Sequence, residues 1–209
     1  MSELIVQSFL EPPLGNNNYV VTDPDTREAA LIDCSHPDEK IVRYIQSTGI
    51  KLKYIFLTHV HFDHMMGLPY FQEKYQAEIY IPRVDMNLLK QMNEWSQTHK
   101  FPTPDLPKEA GIADMDSVFP LGKHLVRVIK TPGHTAESVC YLIGNHLFSG
   151  DTLFQGTYGR TDLPGGSLEQ MRESIHQLLK LPDKTVVYPG HGAKTTIGEE
   201  RGLYEGFAD

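Results

Sequence analysis

Thr58-His59-Val60-His61-Phe62-Asp63-His64 crowds three imidazoles and a carboxylate into one short stretch. Nitrogen and oxygen donors in such number are the ligand set of a metal centre. Directly upstream, Leu52, Tyr54, Ile55, Phe56 and Leu57 form an apolar, aromatic-rich run with the length of a buried strand. The cluster therefore opens at a strand's end, where the strand fixes the place of the loop that follows. Three other strand-like segments end the same way. Val126-Arg127-Val128-Ile129 leads into Thr131-Pro132-Gly133-His134, Asn145-His146-Leu147-Phe148 into Ser149-Gly150-Asp151, and Thr185-Val186-Val187-Tyr188 into Pro189-Gly190-His191. Each delivers one metal-capable side chain just past a glycine, which lets the backbone bend sharply. The chain has ten histidines; His36, His99, His124, His146 and His176 lack this setting and are assigned to the background.

Working outward, short strands are expected over 4–6, 19–21 and 29–32, divided by turns at Pro12-Pro13, Gly15-Asn16-Asn17-Asn18 and Asp23-Pro24-Asp25. Helical spacing covers 38–46 and stops at Gly49. Further helices are expected over 64–75, 85–98 and 167–179, the last with Ser167 as N-cap. Gly67 and Pro69 sit awkwardly near the start of the second. Strands alternating with helices indicate an α/β protein. The echo between Thr131-Pro132-Gly133-His134 and Tyr188-Pro189-Gly190-His191 fits two similar halves.

The 209 residues suffice for one sizeable core and contain no linker-like stretch, so 1–209 is expected to be a single domain. A formal charge of -8 without any Lys/Arg run argues against nucleic acid as a partner. There is no signal-like start and no stretch near the ~18 apolar residues of a membrane span. The expectation is a cytoplasmic monomer or small homo-oligomer with no membrane partner. Cys34 and Cys140 make no disulfide framework and read as small buried fillers.

His59-Val60-His61-Phe62-Asp63-His64, His134, Asp151 and His191, in this order and setting, resemble the five-part pattern of the metallo-β-lactamase superfamily over essentially the whole chain. Gly150-Asp151-Thr152-Leu153-Phe154, the stretch from Gly159 to Gly166, and Gly190-His191-Gly192 are most similar to the short glyoxalase II-like (hydroxyacylglutathione hydrolase-like) thioesterases. The resemblance implies a four-layer αβ/βα sandwich, two mixed sheets flanked by helices, with metals at one edge between the sheets. It implies two divalent metal ions, zinc by default, while the donor types also suit iron or manganese. His59, His61 and His134 would hold the first, Asp63, His64 and His191 the second, and Asp151 would bridge them. Catalysis would rest on Asp63 and a metal-bound hydroxide attacking a small-molecule thioester such as S-lactoylglutathione, with a metal polarising the carbonyl oxygen.

Asp33 is expected either to orient a ligand imidazole by accepting its other N–H or to shape the turn Asp33-Cys34-Ser35. Arg160 is expected to bind a substrate carboxylate through two parallel hydrogen bonds, or else to pair with Asp162 as a clamp. Asp162 stands where that family tends to have a tyrosine, and only a short tail follows His191, which weakens the case for glutathione. Segment 85–115 is the candidate cover of the cleft, with Trp95 read as helix packing. Thr58 and Ser149 are set aside as satisfying backbone groups. The Gly159-Arg160-Thr161-Asp162 turn is also similar to mononuclear iron persulfide dioxygenases of the same fold, which is the alternative activity.

Overall fold

The computed structural model describes residues 2–103, 106–107 and 109–204. Its first half contains β1 (Ile5–Glu11), β2 (Asn16–Thr22), β3 (Glu28–Ile32), α1 (Glu39–Thr48), β4 (Lys51–Phe56), α2 (Phe62–Met65), α3 (Leu68–Tyr75), β5 (Glu78–Pro82), α4 (Met86–Thr98) and β6 (Gly111–Ala113). There follow β7 (Val118–Leu121), β8 (His124–Lys130), β9 (Val139–Ile143), β10 (His146–Gly150), β11 (Leu153–Phe154) and β12 (Thr157–Tyr158). The chain continues through α5 (Leu168–Leu178), β13 (Val186–Pro189), β14 (Thr195–Thr196) and α6 (Ile197–Arg201). One sheet runs β1 to β6 in sequence order, antiparallel up to β3 and parallel from there on. The other runs β14-β13-β10-β9-β8-β7 and is parallel only between β10 and β13.

Successive strand side chains point to opposite faces, and this alternation sorts the apolar residues into three cores. Val20, Leu31, Ile55 and Ile79 face outward onto Ile41 and Ile45 of α1, Phe71 of α3 and Leu89 of α4. Their neighbours Tyr19, Val21, Ile32, Tyr54 and Phe56 face inward and meet Val126, Val128, Tyr141 and Phe148 of the second sheet. That sheet's outer face, with Cys140, Leu147 and Val187, is covered by Met171 and Ile175 of α5 and Ile197 of α6. Helix, sheet, sheet and helix layers result, which is the expected αβ/βα sandwich. Phe56 sits at the centre, with the rings of Tyr54, Phe119, Tyr80 and Tyr141 at 4.9–5.7 Å. Among the described residues no helix is long and apolar enough to cross a membrane.

Local signals set several boundaries. Asp38 caps α1 by accepting from the Lys40 N–H at 2.7 Å, and Gly49 ends it at φ 63°. Ser167 caps α5 by accepting from the Gln170 N–H. The helix expected over 64–75 is instead two, α2 and α3. The loop at Cys34, just past β3, crosses here: its N–H donates to the His64 carbonyl at 2.9 Å, and Gly67 N–H donates to the Cys34 carbonyl at 2.8 Å. A Cβ on Gly67 would lie 2.6 Å from the His36 carbonyl oxygen, so this close crossing requires glycine. The Asn16-Asn17-Asn18 run, expected as a turn, is the buried start of β2.

Glu11, at the end of β1, is buried beside Asp38. Burial pushes its carboxyl up, a hydrogen bond with Asp38 adds to the effect, and the result is about 7 against an ordinary 4.5. Its Oε2 lies 3.0 Å from His36 Nε2. A carboxyl whose folded-state pKa is raised contributes stability that is complete below its unfolded pKa and is lost as pH rises through the folded value. Glu11→Gln cannot ionise. Its melting temperature relative to wild type is therefore expected to increase between pH 5 and pH 8, as read by thermal unfolding of both proteins at each pH. A pH-independent difference would contradict this.

Candidate metal centre

Four strands deliver the polar centre. β4 leads through Leu57 and Thr58 to His59, His61, Asp63 and His64; β8 leads to His134, β10 to Asp151 and β13 to His191. All of these residues follow the carboxyl ends of their strands, the edge at which α/β sheets place their ligands. Both Pro-Gly-His turns leave the second sheet, so the sequence echo does not divide the protein between its two sheets.

The donor atoms converge in two separate trios, His59 with His61 and His134, and Asp63 with His64 and His191, and a third group, His59 with His64 and Asp151, links them. His61 Nδ1 and His134 Nε2 are 3.0 Å apart. Asp151 Oδ1 lies 3.5 Å from His64 Nε2, and its Oδ2 lies 3.5 Å from His134 Nε2 and 3.6 Å from His191 Nε2. One carboxylate thus touches members of both trios. Ligands about 2.0–2.1 Å from a tetrahedral cation sit roughly 3.3 Å from one another, and these separations match. The decisive fit is that His59 Nε2 and Asp151 Oδ1 are buried without any hydrogen-bond partner. Buried polar atoms are ordinarily paired, and cations at these trios would satisfy donors that the protein leaves bare.

Contacts behind the centre hold the rings in register. Thr58 Oγ1 donates to Asp33 Oδ2 at 2.8 Å, so its lone pair is left to accept from His59 Nδ1 at 3.0 Å. His134 Nδ1 donates to the Arg160 carbonyl at 2.7 Å. His64 Nδ1 lies 2.9 Å from Asp33 Oδ2. In each ring Nδ1 is engaged and Nε2 is turned inward, the arrangement by which outer groups set the tautomer of a ligand. Asp33 also accepts from the Thr58 N–H and has φ 57°, so it shapes the turn as well. Thr58, set aside on sequence, is a positioning residue; its only signal was its place before the histidine cluster. Ser149 donates to the Leu153 carbonyl.

Charge divides the trios. Burial, with the neighbouring His64 and His61 imidazoles, holds His59 well below its ordinary pKa, and burial with His134 takes His61 down to about 3. These rings are neutral lone-pair donors. Burial also acts to lower His64, but Asp151, Asp33 and Asp63 outweigh it and push it up to about 10. Burial acts to raise Asp63; His64 and His191 outweigh it and keep the carboxyl well below its usual range. The second trio is thus a field of negative charge that a cation would neutralise, displacing the proton. Burial pushes the Cys34 and Cys140 thiols up, Cys140 to about 12, so neither supplies the thiolate a nucleophile requires.

Asn16 was missed by sequence reading. Its Nδ2 donates to Asp63 Oδ2 at 3.1 Å and lies 3.4 Å from both His64 Nε2 and His191 Nε2. Asn17 Nδ2 donates to the carbonyls of Pro189 and Gly192, and Tyr19 Oη donates to Pro189. β2 of the first sheet therefore ties down the turn that carries His191 in the second.

Arg160 is exposed and forms two bonds with Asp162, Nε to Oδ1 at 2.7 Å and Nη2 to Oδ2 at 2.8 Å. It lines a cavity of about 290 Å³ over the polar centre, together with Trp95 and Phe101. Trp95, read as helix packing, thus stands on the wall of the cleft. Within segment 85–115, residues 104, 105 and 108 lie outside the described residues.

Comparison with known proteins agrees with this geometry. The sequence profile of the metallo-beta-lactamase superfamily matches residues 12–191. The Beta-lactamase hydrolase-like protein of Agrobacterium fabrum is 34% identical over 218 aligned positions, covering 93% of this chain and 50% of its own, so the chain spans about half the length of that relative. Hydroxyacylglutathione hydrolase GloC of Haemophilus influenzae is 32% identical over 183 positions, 85% of this chain and 86% of its own. Among solved structures, BLEG-1 B3 metallo-beta-lactamase has a TM-score of 0.85 at 29% identity, covering 98% of this chain and 99% of its own. ETHE1 from Myxococcus xanthus has 0.78 at 29%, covering 98% and 84%. TTHA1623 in a di-iron-bound form has 0.82 at 32%, covering 94% and 97%. By profile, fold and the arrangement of its histidines and aspartates, the chain belongs to the metallo-β-lactamase superfamily.

Proposed function

We propose that the protein is a binuclear metal-dependent thioesterase of the glyoxalase II-like type, acting on small thioesters such as S-lactoylglutathione. The observation that carries this reading is Asp151, whose Oδ1 faces His64 and whose Oδ2 faces both His134 and His191, so that one carboxylate reaches both trios, while Oδ1 has no hydrogen-bond partner. His59, His61 and His134 would hold one divalent ion, and Asp63, His64 and His191 the other. When bound, such ions supply Lewis acidity toward a carbonyl oxygen and lower the pKa of water from ~15.7 toward ~7. The protein's own part is orientation. Thr58, Asp33 and the Arg160 carbonyl fix the ligand rings, and Asp63, held ionised, accepts from Asn16 and would orient an attacking water at its Oδ2. A thiolate leaves without strong acid assistance, which suits a centre in which both cysteines are buried and protonated.

Similarity to hydroxyacylglutathione hydrolase GloC supports this reading. A second reading, the mononuclear iron persulfide dioxygenase, is favoured by Gly159-Arg160-Thr161-Asp162 and by the likeness to ETHE1. The test is metal content per chain measured beside thiol release and oxygen uptake on one preparation. Two metals with thiol release support the hydrolase; one iron with oxygen consumption supports the dioxygenase.

Arg160 is the proposed contact for a carboxylate on the thiol side of the substrate. Because the guanidinium is exposed and already bound to Asp162, its contribution falls in the range of surface pairs, roughly 0.2–1 kcal/mol. Arg160→Ala is expected to raise KM for S-lactoylglutathione up to about fivefold with kcat unchanged. Kinetics on an uncharged thioester provide the control. An equal effect there, with a lower melting temperature, would leave Arg160 as the clamp on Asp162.

A further inference from the structure

The cavity over the polar centre has walls of two kinds. Its floor is the metal-capable side chains, whereas one side is apolar: Phe62, Met92, Trp95, Phe101, Phe154 and Leu163. Three of these rings form a ladder. Phe62 and Phe101 stack with centroids 5.0 Å apart at 20°, and Phe101 and Trp95 stack at 5.8 Å and 16°. Trp95 in turn stacks on His99 at 4.2 Å and 23°, and His99 Nδ1 donates to the Trp95 carbonyl. The ladder begins at the centre itself, because Phe62 lies between His61 and Asp63 in the chain. Its middle rung reaches solvent, with Phe101 38% exposed. The cationic Arg160 at the rim is offset by its pairing with Asp162.

We propose that this aromatic shelf is an acyl subsite, and that the preferred substrates are thioesters with an aromatic or similarly flat apolar acyl group. The inference rests on the hydrolase reading above and names its substrate class. Position supports it, since the acyl group hangs directly from the carbonyl carbon and the shelf starts beside the ligand loop. Size supports it too. At about 290 Å³ the cavity is at the lower end of the roughly 300–1,000 Å³ typical of small-molecule sites. It encloses a small group, so a tripeptide-sized thiol would extend past the Arg160–Asp162 rim into solvent. A lactoyl group offers the shelf one methyl, whereas a phenyl ring would pack edge-on against the ring edges that line the cavity and cover exposed apolar surface.

The test compares S-lactoylglutathione with S-mandeloylglutathione on the metal-loaded full chain. The two differ only in a methyl replaced by a phenyl. The kcat/KM for the mandeloyl compound is expected to be at least tenfold higher. Trp95→Ala should collapse that ratio toward one, and Trp95→Phe should keep most of it. A third substrate, the lactoyl thioester of benzyl mercaptan, places the ring on the thiol side. If the preference follows the thiol instead of the acyl group, or if the two glutathione esters have equal kcat/KM, the proposal is overturned. Trp95 is the chain's single tryptophan, so its emission reads the shelf without turnover. Mandelate is expected to change that emission at concentrations where lactate does not. A response to mandelate without thiol release from any thioester would sink the hydrolase reading and leave the apolar subsite standing. No response, together with an equal ratio, would sink the subsite alone.

Discussion

Replacing Asp151 with alanine is expected to remove metal and turnover together. The carboxylate faces His64 with one oxygen and His134 and His191 with the other, at 3.5–3.6 Å. Without it the trios lose their shared anion, and His64 loses the strongest of the charges that push it up to about 10. The proposed chemistry depends on lowering the pKa of water from ~15.7 to ~7, and failure of that step costs at least about a thousandfold in kcat/KM. Metal content per chain should fall from about two to one or fewer. Elemental analysis and thiol release from S-lactoylglutathione are the measurements. An Asp151→Ala protein that kept two metals and full turnover would remove the bridge from the mechanism.

The second large effect is expected from the smallest substitution. Gly190→Ala places a Cβ 2.8 Å from His64 Cε1 and 3.1 Å from the Gly150 carbonyl carbon, and against Asp151 Oδ1. Nothing there yields easily. Gly190 N–H donates to the Gly150 carbonyl at 2.7 Å, and the Gly190 carbonyl accepts from the Asn17 N–H at 2.7 Å. The methyl must therefore push His64 and Asp151 apart or displace the turn that carries His191. Overpacking of this kind destabilises by roughly 1–3 kcal/mol, whereas a displacement near 1 Å at a reacting centre can cost about a hundredfold in rate. A folded Gly190→Ala protein should have modestly lowered stability and a far larger loss of thioesterase activity. Thermal unfolding beside kinetics checks this; wild-type turnover would show that the centre tolerates the shift.

The histidine and aspartate cluster was legible because few residue types can ligate a metal and the strand ends restrict position. His59, His61, Asp63, His64, His134, Asp151 and His191 could be picked out by their setting beyond buried strands, and the structure brings all seven to one edge. Of their outer contacts only Asp33, expected to accept from an imidazole of the cluster, was legible, and it lies against His64 Nδ1. Thr58 and Asn16 are ordinary turn residues by type, and their significance arises from atoms 25 to 175 positions away in the chain, such as Asp33 beside Thr58 and His191 beside Asn16. Strands β5, β6, β7, β9, β11, β12 and β14 were also overlooked. Short runs such as Val139-Cys140-Tyr141-Leu142-Ile143 are apolar on both faces, because one face meets the first sheet and the other meets α5.

Periodicity and capping residues determined most of what is local: α1 between Asp38 and Gly49, α5 from Ser167, and the buried run that ends at the ligand loop. These depend on near neighbours, whose energies are written in the order of the residues. The family, with the fold it implies, was likewise carried by a motif whose spacing is fixed by chemistry. Only the tertiary structure decided the division of helix 64–75 at Gly67, the burial of Asn16-Asn17-Asn18, the pairing of Arg160 with Asp162, and the standing of Trp95 on the cleft wall. Each depends on which distant backbone or side chain arrives beside it. Long-range packing overrides local preference wherever a buried polar group must find a partner or a close approach leaves no room for a side chain.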